Sequence, residues 1–217
     1  MFFLFTCSVF LPAFAYGESD TYRNFAELSA KEKEGVDYKI SSFETKSSLA
    51  IIAIHGGKIE KGTTEVAKLL ASEGKYNFYS FEGMKNSANS VLHLTSTNFD
   101  EKLGRTIVSK SVRTISLHGM AGKNSATYLG GLDTEFGKII EKNLNGAGFE
   151  IKVASKELGA TDSRNICNAN ISGKGVQLEM TKGLRDSFLE GDGANEILAK
   201  YVAALNKAVK EFEGNSR

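Results

Sequence analysis

Proline occurs once in the 217 residues, cysteine twice and histidine three times, and neither sign of charge is in excess, with 27 Lys and Arg against 26 Asp and Glu. Each scarcity excludes something. The one proline, Pro12, lies ahead of residue 20, and there is no low-complexity tract or fixed-period repeat. Nothing therefore marks a linker in the body of the chain, and one globular domain is the default at this length. The near-neutral balance argues against long-range attraction to nucleic acid or a membrane surface, and the lack of a Lys/Arg run argues further against nucleic acid. An anionic partner has to be held by a local cluster. Cys7 falls in the apolar stretch MFFLFTCSVFLPAFA, residues 1–15. That stretch is too short for a comfortable bilayer span and ends in Ala13-Phe14-Ala15, the small-x-small pattern of a signal-peptidase site. It lacks the basic residues of an ordinary secretory n-region, yet a cleaved signal peptide with a secreted or periplasmic product is the reading it favours. No membrane span then remains. Removal of the segment leaves Cys167 as a single thiol, so the mature domain is expected to be stable without a disulfide.

The rest of the chain alternates strand and helix patterns. Residues 49–54 form an uninterrupted apolar run, as expected for a strand covered on both faces. A helix is expected to open at Gly62-Thr63-Thr64 and stop at Gly74. Further strands are expected at 77–82, 90–95, 112–117, 149–154 and 176–180. Helices are expected over 20–34 with Asp20 as cap, from near Asp133, and from near Ala194. The sum is an α/β domain over 20–213, a single three-layer unit with a mixed, mainly parallel sheet and helices on both faces.

Two of the three histidines occupy equivalent places. His55 follows the run 49–54 and precedes Gly56-Gly57; His118 follows 112–117 and precedes Gly119. Ligands of open α/β sheets bind beyond the carboxyl ends of strands, where glycine lets the backbone turn beside the site. Glu60 lies five residues after His55, past the Gly-Gly turn, and can fold back to the same point. Two histidines and a glutamate are a ligand set of catalytic zinc hydrolases, which leaves a fourth position for water. The spacing alone is a weak signal, since a histidine at a strand end is more often a hydrogen-bonded structural residue. In 176–180 the alternation puts Val176, Leu178 and Met180 on one face and Gln177 and Glu179 on the other. Glu179 is a candidate general base, or else one solvated residue of an edge strand. Lys58, Lys123, Arg164, Lys174, Lys182 and Arg185 cluster in sequence near these motifs, and arginine can grip a carboxylate through two N–H groups. Cys167 reads as a buried structural thiol rather than a nucleophile.

Several motifs together resemble the phage-type poly-γ-glutamate hydrolases. They are Tyr22-Arg23-Asn24-Phe25-Ala26-Glu27-Leu28, Ala53-Ile54-His55-Gly56-Gly57-Lys58-Ile59-Glu60, Leu92-His93-Leu94-Thr95-Ser96-Thr97-Asn98-Phe99-Asp100, Ser116-Leu117-His118-Gly119, and Asn165-Ile166-Cys167-Asn168 followed by Gly175-Val176-Gln177-Leu178-Glu179 and Gly183-Leu184-Arg185. The resemblance implies a fold related to zinc carboxypeptidases and cleavage of the γ-amide bonds of poly-γ-glutamate. It implies that His55, Glu60 and His118 bind Zn2+, that Glu179 is the catalytic carboxylate, and that Arg185 and Arg164 meet substrate carboxylates. His93 sits in a shared motif without an assigned role. Two other readings compete: a zinc amidase or carboxypeptidase for γ-glutamyl bonds of wall peptides, with the same metal site, and a non-catalytic polyanion-binding protein, which would not need the base.

Overall fold

The computed structural model describes residues 20–190 and 195–215; the expected signal peptide 1–15 and the expected helix start near Ala194 lie outside them. Among the described residues, seven strands form one sheet: β1 (Tyr38–Phe43), β2 (Leu49–Gly57), β3 (Asn77–Gly83), β4 (Arg113–Met120), β5 (Ala126–Gly130), β6 (Glu150–Val153) and β7 (Val176–Thr181), in spatial order β1-β3-β2-β4-β7-β5-β6. Four of the six pairings are parallel; β1 on β3 and β5 on β7 are antiparallel. The sheet is mixed and mainly parallel, as the sequence implied.

Strand alternation sends neighbouring residues to opposite faces, and both faces are covered. On one, Leu49, Ile51 and Ala53 of β2, Ile115 and Leu117 of β4, and Val176, Leu178 and Met180 of β7 pack against α2 (Thr63–Gly74), α4 (Thr134–Gly146), α5 (Lys182–Ser187) and α6 (Glu196–Asn215). The helices bury residues at helical spacing, such as Phe136, Ile140 and Leu144 of α4 and Tyr201, Val202, Leu205, Ala208, Val209 and Phe212 of α6. On the other face, Ala50, Ile52, Ile54, Tyr79 and Phe81 meet Leu28 of α1 (Phe25–Ser29), Ile107 and Val108 of α3 (Lys102–Lys110), and Leu92, Leu94 and Phe99. This layer is made of short helices and anchored loop.

Two expectations change. Residues 90–95 are not a strand: Asn89–Leu92 is a 3-10 turn that buries Leu92, and the chain continues extended to bury Leu94, so the apolar pattern reflects burial without strand pairing. The N-terminal helix is Phe25–Ser29, capped by Asn24, whose side chain accepts from the Glu27 N–H; Asp20 is engaged elsewhere. Strands β1 and β5 and helix α3 carried no pattern clear enough to be expected. In β1 only Tyr38 is buried, and three of the five residues of β5 are only partly buried.

Candidate metal centre and active site

The site lies on the second face, at the carboxyl ends of β2, β4 and β7. His118 reaches that face by simple alternation, opposite Ile115 and Leu117. His55 would not: alternation from Leu49, Ile51 and Ala53 directs residue 55 to the α2 side. Between Ala53 and Gly56 the register of β2 on β3 slips, three steps on β2 matching two from Ser80 to Glu82. This bulge re-aims the His55 ring. Its Nε2 donates to the Leu94 carbonyl at 2.8 Å, and its Nδ1 comes 3.2 Å from His118 Nδ1. The turn that follows uses Gly57 at φ 61°, where an added Cβ would lie 2.6 Å from the Gly83 oxygen. It closes with the Glu60 N–H on the His55 carbonyl at 2.9 Å and returns Glu60 to the histidines, Oε1 at 3.3 Å from His55 Nδ1 and Oε2 at 4.0 Å from His118 Nδ1. Oε2 also accepts from the Gly119 N–H at 2.7 Å.

Two of the three separations match a tetrahedral cation. With zinc–ligand bonds of about 2.0–2.1 Å, neighbouring ligands stand about 3.3 Å apart; His55–His118 and His55–Glu60 are 3.2 and 3.3 Å, and His118–Glu60 is longer at 4.0 Å, through the other carboxylate oxygen. The Leu94 carbonyl can only accept, so His55 Nε2 carries hydrogen and Nδ1 is the free donor atom. Ser116 Oγ, 2.9 Å from His118 Nε2, can play the same part there. A second triad can be drawn, because His55, Glu60 and His93 offer ligand atoms within 4.8 Å of one another. The ring planes differ between them. His93 stacks on His55 at 29° with centroids 3.9 Å apart, so their in-plane lone pairs run side by side, whereas the His55 and His118 planes cross at 78° with centroids 4.9 Å apart. His93 is instead tied by Nδ1 to Asp20 Oδ1 at 2.8 Å, while Asp20 Oδ2 accepts from the Thr95 N–H at 2.6 Å.

Charge follows from burial and neighbours. Burial and then the neighbouring His55 charge pull the His118 imidazolium down to about 3. Burial opposes ionisation of Glu60, but the charge and hydrogen bond of His55 outweigh it and hold the carboxyl well below its ordinary range; burial likewise opposes a charged His55, and Glu60 overrides it upward. Without a metal, a proton on His55 Nδ1 holds the three groups together. Glu179 is the register partner of His118 on the adjacent strand. Gln177 Nε2 donates to its Oε1 at 2.8 Å, and Gln177 is held in turn by Asn165 Nδ2 at 3.1 Å. Burial pushes the Glu179 carboxyl up to about 8, with Glu60 adding to the push.

A family model described as poly-gamma-glutamate hydrolase matches residues 22–211. The chain belongs to this family. It is 38% identical over 202 residues to the SPbeta prophage-derived UPF0714 protein YoqZ of Bacillus subtilis (strain 168), covering 89% of this chain and 73% of YoqZ. Among solved structures, a bacteriophage poly-gamma-glutamate hydrolase superposes with a TM-score of 0.87 at 35% identity, covering 90% of this chain and 99% of that one. A zinc-free form of YndL superposes at 0.83, again at 35% identity, covering 89% and 99%.

In this member of the poly-gamma-glutamate hydrolase family, His55, Glu60, His118 and Glu179 come together, Arg185 lies beside them within electrostatic reach of Glu60 and Glu179, and Arg164 stands apart. The Arg164 side chain is exposed and forks onto Asp162 Oδ1 and Oδ2 at 2.6–3.2 Å. Arg185 is buried and gives its N–H groups to the carbonyls of Met180 at 3.1 Å, Lys61 at 2.5 Å and Met120 at 3.3 Å. It staples the Glu60 turn to the ends of β4 and β7. Gly119 leaves it room, since a Cβ there would lie 2.5 Å from the guanidinium. Asn165, Asn168 and Asn170 anchor the 155–175 segment: Asn168 binds the Ala160 and Asp162 carbonyls and the Gly175 N–H, and Asn170 binds Thr114 and the Lys174 carbonyl. The Cys167 thiol is buried and free, and burial pushes it up to about 12, which suits a structural role. The residues not foreseen are His93 in stacking contact, its Asp20 anchor, and Gln177. The alternation of β7 already held Gln177 on the face of Glu179.

Proposed function

We propose that the chain hydrolyses γ-glutamyl amide bonds of poly-γ-glutamate with Zn2+ held by His55, Glu60 and His118, and with Glu179 as general base. The observation that carries this is the approach of His55, Glu60 and His118 to 3.2–4.0 Å of one another beside the buried Glu179 carboxyl, whose hydrogen bond goes to Gln177. A zinc ion held there supplies Lewis acidity to a carbonyl oxygen and lets water give up a proton near neutral pH. The residues do the rest. The Leu94 carbonyl and Ser116 hydroxyl fix the two imidazoles by their far nitrogens, and Arg185 fixes the turn that carries Glu60. Gln177 holds Oε1 of Glu179, which leaves Oε2 to take a proton from water and return it to the departing amine nitrogen. Burial that lifts the Glu179 carboxyl to about 8 favours its keeping the proton until the amine nitrogen takes it, and a cation held beside it would draw that value back down for the uptake step. Names of relatives point the same way, a bacteriophage poly-gamma-glutamate hydrolase and a YndL form described as zinc-free. The apolar segment 1–15 with Ala13-Phe14-Ala15 supports an exported product; an intact Met1 in cytosolic protein, read by mass spectrometry, would overturn export.

The deciding experiment measures zinc content and loss of poly-γ-glutamate viscosity together, with and without a chelator. Parent protein should carry about one zinc per chain and stop cutting once it is removed. His118→Ala should lose most of the metal and the activity with it. Full zinc and full activity in that variant would refute the ligand set.

A further inference from the structure

A polymer with a free carboxylate on every unit needs cations beyond the scissile bond; Arg185 gives its N–H groups to three carbonyls, and Arg164 sits in a solvated pair with Asp162 on the 155–175 segment. The sheet offers another. His118 of β4 pairs with Glu179 of β7, Glu179 with Tyr128 of β5, and Tyr128 with Lys152 of β6. Register partners on neighbouring strands share a face, so these four form one row across the second face. The residues between them confirm the parity: Thr127 binds the Tyr201 hydroxyl, and Leu129 and Ile151 pack against the first core. The Lys152 Nζ stands 5.8 Å from the centre of the Tyr128 ring. It also lies 3.2 Å from Glu150 Oε1, with side-chain exposures of 42% and 54%, a pair too solvated to hold it firmly.

One row away the cleft is walled. The Gly131 N–H donates to the Gly159 carbonyl at 2.8 Å, Gln177 Nε2 reaches the Leu158 carbonyl at 3.5 Å, and a Cβ on Gly130 would meet the Gly159 oxygen at 2.8 Å. The 155–160 segment thus crosses the sheet over Gly130 and Gln177. A ligand whose reacting bond lies at Glu179 is left the row of Tyr128 and Lys152. Strands about 4.8 Å apart put Lys152 roughly 10 Å from Glu179 along that row. With bonds of about 1.5 Å, one γ-linked unit spans roughly 6 Å, so the next unit's carboxylate falls within reach of the lysine.

We propose that Tyr128 and Lys152 form a subsite for the free α-carboxylate of the unit next to the scissile γ-amide, Tyr128 as its floor and Lys152 as its charge partner. This rests on the reading of Glu179 as the catalytic base of a γ-glutamyl hydrolase. It sets register: a free carboxylate on Lys152 places the preceding amide over Glu179.

Binding is measured on zinc-loaded Glu179→Gln protein, so that the polymer survives, and KM on protein with Glu179 intact. Lys152→Glu should weaken poly-γ-glutamate binding and raise KM about three- to tenfold at low salt, an effect that shrinks as salt rises. Lys152→Arg should recover most of the affinity. Polymer with its carboxylates methyl-esterified should bind Lys152→Glu and parent alike. Equal binding of the native polymer by Lys152→Glu and parent, in a protein that cleaves it, would sink the subsite alone. A zinc-loaded parent that does not cleave poly-γ-glutamate would sink both the subsite and the functional reading beneath it.

Discussion

The two faces of the sheet are cut from the same strands and differ in every property that matters. On one, Ile115, Leu117, Val176, Leu178 and Met180 are fully buried beneath four helices. On the other, one residue away each time, Ser116, His118, Gln177 and Glu179 are nearly as buried and are polar. Burial on the first face stabilises the fold through apolar area. On the second it is tolerated because each polar group has a partner, and it shifts ionisation instead: His118 down, Glu179 up. On β4 and β7 strand parity separates stability from chemistry, while His55 of β2 joins the second face through its bulge and that face keeps an apolar core of its own around Ile52 and Phe81; on β4 and β7, substitutions one residue apart should have unlike consequences.

Glu179→Gln should show the largest effect. It keeps shape and removes proton uptake, so turnover should fall on the order of 10²- to 10⁴-fold. Zinc content and polymer affinity should stay near parent values. Near-parent turnover would return Glu179 to a structural role, and loss of zinc would move it among the ligands. Leu178→Ala, its immediate neighbour, should do the reverse. Truncating a fully buried leucine costs about 2–5 kcal/mol, read as a lowered denaturation midpoint, while activity per folded molecule survives. If Leu178→Ala lost turnover while folded, the two faces would not be separable.

A third test concerns pH. His55 has its pKa raised and Glu60 has its lowered, so the metal-free ion pair stabilises most above the unfolded Glu60 value and below the unfolded His55 value. That contribution is lost as pH rises through the raised His55 value. Zinc takes the place of the same proton, so its apparent affinity should fall by about tenfold per pH unit once His55 is protonated. Calorimetry should find the gap in melting temperature between zinc-loaded and chelated protein widening from pH 6 to pH 8.5. A gap that is flat or narrows would mean that the metal does not displace a proton from these ligands.

Legibility in the sequence followed the same division. The first face could be read almost whole, because Leu49 to Ile54, the α4 and α6 stripes and the alternation of β7 are patterns of apolar residues, and burial there demands nothing else. The second face was legible in its residue types but not in its aim. His55 and His118 stood out as strand-end histidines, yet alternation alone sends His55 to the wrong side, and the bulge that corrects it depends on the pairing of β2 with β3. Burial of Leu92 and Leu94 without pairing imitated a strand. Asp20 looked like a helix cap, since a short acid before an amphipathic stretch satisfies that rule, and its contact with His93 spans 73 residues. The three carbonyls that Arg185 bonds were not legible either, because nothing in its sequence neighbours shows them.

The smallest expected effect comes from that long-range contact, and it tests how far the second face depends on its borders. Asp20 grips both the His93 ring and the Thr95 N–H, and between them lies Leu94, whose carbonyl orients His55. Burial opposes the Asp20 charge, but the Thr95 N–H and His93 outweigh it and hold the carboxyl below its usual range. The charged form is therefore the one the fold uses, and its contribution is present above the unfolded value and lost as pH falls through the lowered one. Asp20→Asn keeps an acceptor and removes the charge, whereas Asp20→Ala removes both. Partners that orient a metal-binding histidine directly are worth about 10- to 100-fold in metal affinity. Asp20 acts one step further out, through Leu94, so Asp20→Ala should weaken zinc binding by less than this, with Asp20→Asn closer to parent. The core on the first face should not register either change, and the denaturation midpoint of the zinc-free protein should move little. A loss of zinc as complete as that expected of His118→Ala would mean that His93 ligates the metal after all and that the stacked ring opens on binding.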